Sequence, residues 1–199
     1  MKLGYNKSIH KIKAREENIR IFQKLTDKKK LPRNRSYWTL CNVQSRDSGS
    51  EIIQLIEAGV ITESQFVGVD RDSDIINANK TCHPKATWIC GDWNEAIRSR
   101  SFNPGLVYLD TTSFADHKNA IKMLTATMLR CPEYTVVFAN VMLNDPRSKR
   151  RFDPDVLLQA IQKEIPVTEL QKWETKIVNY EYSMTGKTDM GTFVFYKNK

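Results

Sequence analysis

The sequence predicts an α/β protein: a doubly wound sheet, parallel over most of its width, that ends in an antiparallel β-hairpin and follows a basic helix. Three observations predict it. From residue 36 onward, short apolar runs of strand length alternate with helical patterns, the order that covers both faces of a parallel sheet with helices. Beyond residue 166 the alternation stops, and two strand-like stretches, 167–182 and 190–197, are joined only by Ser183–Asp189, which is the order of a hairpin. Residues 1–35 hold twelve Lys and Arg against three acids, a net of +9, while the whole chain totals +8. The excess charge is therefore a property of the N-terminal segment and not of the sheet.

Each element follows from local pattern. Ile9, Ile12, Ile19, Phe22 and Leu25, with Ile21 beside them, recur at helical spacing and predict an amphipathic helix from about residue 8 to 27, which Pro32 keeps from continuing. Ser36–Val43 reads as the first strand and Ser50–Ala58 as a helix capped near Ser48 or Ser50 and closed by Gly59. Phe66–Asp70 is a second, buried strand, and Asp72 or Ser73 caps a helix over Asp74–Lys80. Ala86–Cys90 is the third strand, followed by a short helix through Ile97. Leu106–Asp110 is the fourth strand, Ala115–Arg130 a long helix and Thr135–Met142 the fifth strand. Asp153 caps a helix through Lys163, with Pro154 in its first turn. The segment 144–151 between these reads as a loop. Two domains result, a basic helical extension over residues 1–35 and a sheet domain over residues 36–199.

The chain has 199 residues, 40% of them hydrophobic and 27% charged, which suits a globular protein with one buried core. No apolar run approaches the roughly 20 residues of a membrane span, and the basic start is not followed by the apolar stretch of a secretory signal. The cytosol is the expected location, with no membrane partner. Cys41, Cys82, Cys90 and Cys131 are far apart and make no CxxC pair, and three of them sit in or beside apolar runs; they are expected to be buried free thiols. The three histidines are as scattered, so no metal site is predicted. No Ser-His-Asp spacing and no P-loop directs the chemistry elsewhere.

Ligands of open α/β sheets bind at the carboxyl ends of the strands, so the acids there stand out. Asp70 ends the second strand, 21 residues past Gly49, where a carboxylate accepts the hydroxyls of a ribose; the other reading is a helix cap or a pair with Arg71. Asp92 follows the third strand beside Trp93, as a ligand acceptor with a stacking ring or as a cap on a short helix with Trp93 in the core, two roles that can coexist. Asp110 ends the predicted fourth strand, followed by Thr111, Thr112, Ser113 and Phe114, which read otherwise as the cap of the next helix.

Five βα units finished by a hairpin resemble the class I S-adenosylmethionine-dependent methyltransferase fold, over about residues 36–199. That resemblance implies a Rossmann-like, doubly wound seven-stranded sheet, with Thr192–Tyr196 as the strand that inserts antiparallel. It implies S-adenosylmethionine as cofactor, held by the loop after the first strand (Asn42, Ser45, Gly49), by Asp70 and by Asp92 with Trp93. The family's GxGxG-like loop is reduced here to Gly49. Asp110 and Phe114 are similar to the Asp-Pro-Pro-Tyr motif of amino-group nucleic-acid methyltransferases, with both prolines missing and the aromatic displaced by one residue; they are the implied catalytic pair.

The charge points to the substrate. Lys11, Lys13, Arg15, Lys28, Lys29 and Lys30, with Arg147, Lys149, Arg150 and Arg151 in a second cluster, are the candidate contacts to a nucleic-acid backbone, DNA or RNA. The same residues also suit a solvated helix that merely covers the sheet domain. The reading that results is a methyltransferase acting on nucleic acid by in-line methyl transfer. The alternative is the same fold with an eroded site, kept as a module that binds nucleic acid or a protein.

Overall fold

The computed structural model describes residues 9–29, 32, 34–47, 49–114, 118–142, 144–145, 150–151, 153–180 and 190–199. Its strands are β1 (Ser36–Leu40), β2 (Phe66–Asp70), β3 (Thr87–Cys90), β4 (Pro104–Phe114), β5 (Val136–Met142), β6 (Asn144–Asp145), β7 (Arg150–Arg151), β8 (Trp173–Tyr180) and β9 (Met190–Lys197). Its helices are α1 (Ile9–Lys29), α2 (Glu51–Glu57), α3 (Ser73–Cys82), α4 (Trp93–Ala96), α5 (Lys118–Arg130), α6 (Pro154–Glu164) and α7 (Val167–Leu170). Seven strands form one sheet in the order β3-β2-β1-β4-β5-β9-β8. β1 pairs with β2 and β2 with β3 in parallel, whereas β9 lies antiparallel between β5 and β8. The doubly wound sheet with its terminal antiparallel hairpin is thus present. The chain divides into two compact units, residues 1–107 and 108–199, with the boundary inside β4.

In the first unit, Trp38 of β1 meets Phe102 and Trp93 edge-on, with ring centroids 4.9 and 6.4 Å apart. Phe66 of β2 lies 5.3 Å from both Tyr37 and Trp88. Each such ring, once buried, contributes about 1.5–3 kcal/mol. α2 ends where Gly59 takes φ +67°, a conformation open to glycine without a steric penalty. Asp72 and Asp92 cap α3 and α4, as a carboxylate at the N-cap should. In the second unit, Leu124 and Met128 of α5 and Leu157 and Ile161 of α6 are buried, as are Val136–Ala139 of β5 and Phe193–Phe195 of β9.

Several expectations are corrected. β4 runs on through Phe114, so Asp110 does not end its strand, and α5 begins only at Lys118; the sequence Thr111-Thr112 favours the extension because β-branched residues fit a pleated surface. Asn144–Asp145 and Arg150–Arg151 pair as a two-stranded antiparallel ribbon within the segment read as a loop. Residues 167–170 make a helical turn after Pro166, and strand begins only at Trp173. Cys41 and Cys131 are buried, but Cys82 is half-buried and Cys90 exposed, since Cys90 closes β3, the edge strand of the sheet. No helix of the described residues is long and apolar enough to cross a membrane.

Candidate active site

Asp70 stands at the tip of β2, half-buried. Its Oδ1 accepts the amide of Asp72 at 2.9 Å. Burial pushes its carboxyl above the ordinary aspartate range; the Asp72 charge adds to this, and the backbone amides of Asp72 and Arg71 oppose it. Neither competing role falls to it. The cap of α3 is Asp72, which accepts from the amides of Asp74 at 2.8 Å and Ile75 at 3.5 Å. Arg71 pairs instead with Asp92. Among the described residues no lysine or arginine is paired with Asp70, so a partly desolvated carboxylate is offered at the strand tip.

Asp92, one residue past Gly91 at the end of β3, is differently engaged. It accepts the amide of Asn94 at 2.8 Å as the cap of α4 and pairs with the exposed guanidinium of Arg71. The hydrogen bond from Arg71 holds its carboxyl below the usual range, against a smaller opposing effect of burial. Trp93 is buried and packs against Trp38. The expectation that its ring stacks on a ligand is corrected: the indole serves the core.

The loop between β1 and α2 is tied from both flanks. The carbonyl of Asn42, whose own side chain is exposed, accepts from Gln44 Nε2 at 3.3 Å and Asn79 Nδ2 at 3.1 Å. Ser45 Oγ bonds Asp47 Oδ2 at 3.3 Å, and its carbonyl lies 3.0 Å from His83 Nε2. Arg46 turns away to donate to the carbonyl of Cys82 at 3.0 Å, a favoured place for a cation at a helix C-terminus. The close approach that Gly49 permits is to α1: a Cβ there would meet Ile12 Cδ1 at 3.3 Å, and its carbonyl accepts from Arg15. Ser48 lies outside the described residues. No motif marks Asn79, His83 or Arg15. Their only signal is polarity on a face otherwise apolar.

In the second unit, Asp110 belongs to a buried polar cluster. Asn140 of β5 donates to Tyr108 Oη at 2.6 Å and to Asp110 Oδ1 at 3.5 Å, and its own Oδ1 accepts from the hydroxyl of Thr192. Thr111 Oγ1 donates to the carbonyl of Asn140 at 2.9 Å. Sequence reasoning misses Asn140 and Thr192 because each sits within an apolar strand run. Phe114 is the last residue of β4; its side chain, like Ala115, Asp116 and His117, lies outside the described residues.

Along α1, Lys13, Arg20, Lys24 and Lys28 are exposed and, at spacings of seven and four, share one face with Glu16, Glu17 and Asp27. Arg15 is corrected: only 6% exposed, it donates to Gly49 O at 3.1 Å and Gln54 Oε1 at 3.3 Å, so it is turned inward and presents no cation. Lys11 and Lys29 lie on the helix and Arg150 and Arg151 on β7, with side chains outside the described residues; Lys30, Arg147 and Lys149 lie wholly outside them.

No family model and no curated protein sequence matches the chain. Solved structures do. An S-adenosylmethionine-dependent methyltransferase from Clostridium acetobutylicum matches with a TM-score of 0.60 at 9% identity, over 94% of this chain and 92% of that one. A plantazolicin methyltransferase, solved with a triazolic desmethyl analogue and S-adenosylhomocysteine, matches with a TM-score of 0.59 at 11% identity, over 94% and 86%. A candidate RNA methyltransferase from Pyrococcus horikoshii matches with a TM-score of 0.55 at 14% identity, over 94% and 84%. With the strand order, the inserted β9 and acids at the tips of β2 and β3, these matches give one result: the chain has the class I S-adenosylmethionine-dependent methyltransferase fold.

Proposed function

We propose that the chain is an S-adenosylmethionine-dependent methyltransferase whose substrate is nucleic acid. The observation that carries the first half is Asp70. It is a carboxylate raised by burial, paired with no cation among the described residues, at the place where this fold grips a ribose. Two vicinal hydroxyls would supply the donors that a desolvated acid lacks. The fit at Asp92 is poorer: the adenine amine would have to share that acid with Arg71.

Bound there, the cofactor supplies a methyl group already activated on a sulfonium. What remains for the protein is alignment and a proton acceptor. Asp70 would fix the ribose and the loop of Asn42, Ser45 and Gly49 the adjoining end. Asp110 would accept the proton released by the attacking nitrogen or oxygen, its carboxylate steadied by Asn140, and Phe114 would form a platform for the substrate. For the substrate class, the support is the exposed face of Lys13, Arg20, Lys24 and Lys28, the cations of residues 28–35 and 147–151, and the RNA-directed description of one structural neighbour.

Calorimetry with S-adenosylhomocysteine tests the cofactor, and transfer of a tritiated methyl group to DNA, RNA and protein fractions tests the substrate. Binding weakened about tenfold or more by Asp70→Asn, with label entering a nucleic-acid fraction, is the expected result. Absence of binding to the unaltered protein would favour the second reading, an eroded module of the same fold, for which the occupation of Asp92 by Arg71 speaks.

A further inference from the structure

The loop between β1 and α2 has a single glycine, yet it is held in one shape by side chains that stand outside it. We infer that Asn79 of α3 and Arg15 of α1 are positioning residues that set this loop for the amino-acid end of the cofactor, in the place of backbone glycines. The inference rests on the cofactor reading above and deepens it.

Asn79 is completely buried. Its Oδ1 accepts the amide of Gln44 at 2.7 Å, and its Nδ2 donates to the carbonyl of Asn42 at 3.1 Å, with Cys41 Sγ at 3.8 Å. One carboxamide therefore serves a backbone donor and a backbone acceptor on either side of Val43. It does for the chain what a neighbouring strand would do, just past Leu40 where β1 has ended. Arg15 holds the other end through the Gly49 carbonyl and Gln54, and Gln54 Nε2 in turn donates to the carbonyl of Ile12 at 3.5 Å. His83 takes the middle, at Ser45. Apart from the side-chain contacts to Gln54 Oε1 and Cys41 Sγ, each of these bonds satisfies a backbone group that would cost free energy if buried unpaired, so the loop shape is coupled to the side chains that make them.

The cofactor reading above says which part of the ligand should notice. Across β3-β2-β1 it would put the base near Asp92, the ribose at Asp70 and the homocysteine end at the tip of β1. A disturbed loop should therefore weaken S-adenosylhomocysteine and spare adenosine, a split that a general loss of stability would not produce.

The test is calorimetry on the full chain with both ligands, for the unaltered protein, Asn79→Ala and Arg15→Met. The methionine keeps the aliphatic length of Arg15 and removes its donors. Each variant is expected to lose about tenfold or more in affinity for S-adenosylhomocysteine, with adenosine held within about twofold. Should Asn79→Ala fail to fold, Arg15→Met, altered only on α1, decides the matter. Equal weakening of both ligands, or no change in either, overturns the assignment. An unaltered protein that binds neither ligand overturns the cofactor reading itself, and this inference with it.

Discussion

Gly68 of β2 faces the indole of Trp88 on the neighbouring β3 so closely that a Cβ at that position would lie 2.5 Å from Cζ3 and 2.7 Å from Cε3 of the ring, with Cys41 Cβ at 3.1 Å on its other side. The ring is buried, and its Nε1 is anchored to the carbonyl of His83 at 2.9 Å. It cannot retreat without breaking that bond. Gly68→Ala should therefore destabilise the protein by about 1–3 kcal/mol, the usual cost of overpacking a core. Gly91→Ala, where a Cβ meets nothing within 4 Å, should change stability by less than about 0.5 kcal/mol. Urea denaturation of the two variants measures the contrast.

If Asp70 holds the cofactor as proposed, its raised carboxyl should set the pH dependence of ligand binding. Donors from a ribose favour the ionised form, so protonation removes the acceptor and weakens binding. Since burial moves its titration above the ordinary aspartate range, affinity for S-adenosylhomocysteine should fall on acidification with a midpoint above that of a free aspartate. Asp70→Asn should bind about tenfold or more weakly at neutral pH and lose this midpoint. Its fold should persist, because the amide oxygen still accepts from Asp72. Calorimetry between pH 4 and 8, about the span over which such a group titrates, checks both.

The four thiols should separate by reactivity. Burial pushes Cys41 and Cys131 far up, helped at Cys41 by the Asp70 and Glu51 charges and opposed at Cys131 by Lys197, and only a thiolate attacks a disulfide reagent. In the folded protein an aromatic disulfide reagent should label Cys90 first and Cys82 more slowly, leaving Cys41 and Cys131 untouched until denaturant is added. Mass mapping of the labelled peptides reads the order.

Replacing Lys13, Arg20, Lys24 and Lys28 together by glutamine should lower the slope of log affinity for RNA against log salt. The expected decrease is about 0.7 for each single-strand phosphate that these cations neutralise. Filter binding from about 50 to 200 mM salt measures it. An unchanged slope would remove this exposed face of α1 from the interface and leave the cations of residues 29–35 and 147–151 as the candidates.

Asn140 and Thr192 should behave as one unit. Thr192→Val removes the donor to Asn140 Oδ1 and leaves a buried acceptor unpaired, at a cost of about 1–3 kcal/mol. Asn140→Leu removes that acceptor along with its bonds to Tyr108 and Asp110. The double variant should be less destabilised than the two changes added together, and a denaturation cycle on the four proteins gives the coupling.

Strands and caps are legible in the sequence because they are local. Phe66–Asp70 reads as a buried strand from five residues, and Asp72, Asp92 and Asp153 announce helix starts by side-chain chemistry alone. The end of β4 misleads because Thr-Thr-Ser satisfies a helix cap and a pleated strand equally well. What decides is Asn140, 29 residues away, whose carbonyl takes the Thr111 hydroxyl. Arg15 reads as one cation among twelve. Nothing in its neighbours shows that it turns inward to Gly49 and Gln54, 34 and 39 residues on. Trp93 and Asn79 are opaque for the same reason: their partners are set by packing between distant segments.

The insertion of β9 between β5 and β8 bears on how the protein is made. Val136–Met142 emerges from the ribosome some fifty residues before its partner Met190–Tyr196, and β8 reaches the sheet only through β9. Until that late strand arrives, β5 presents an uncovered row of amides and carbonyls flanked by Val137, Phe138 and Val141. Such an edge invites pairing between nascent chains, so synthesis that stalls between residues 142 and 190 should yield aggregate, and a chaperone that shields strand edges should raise the yield of folded protein.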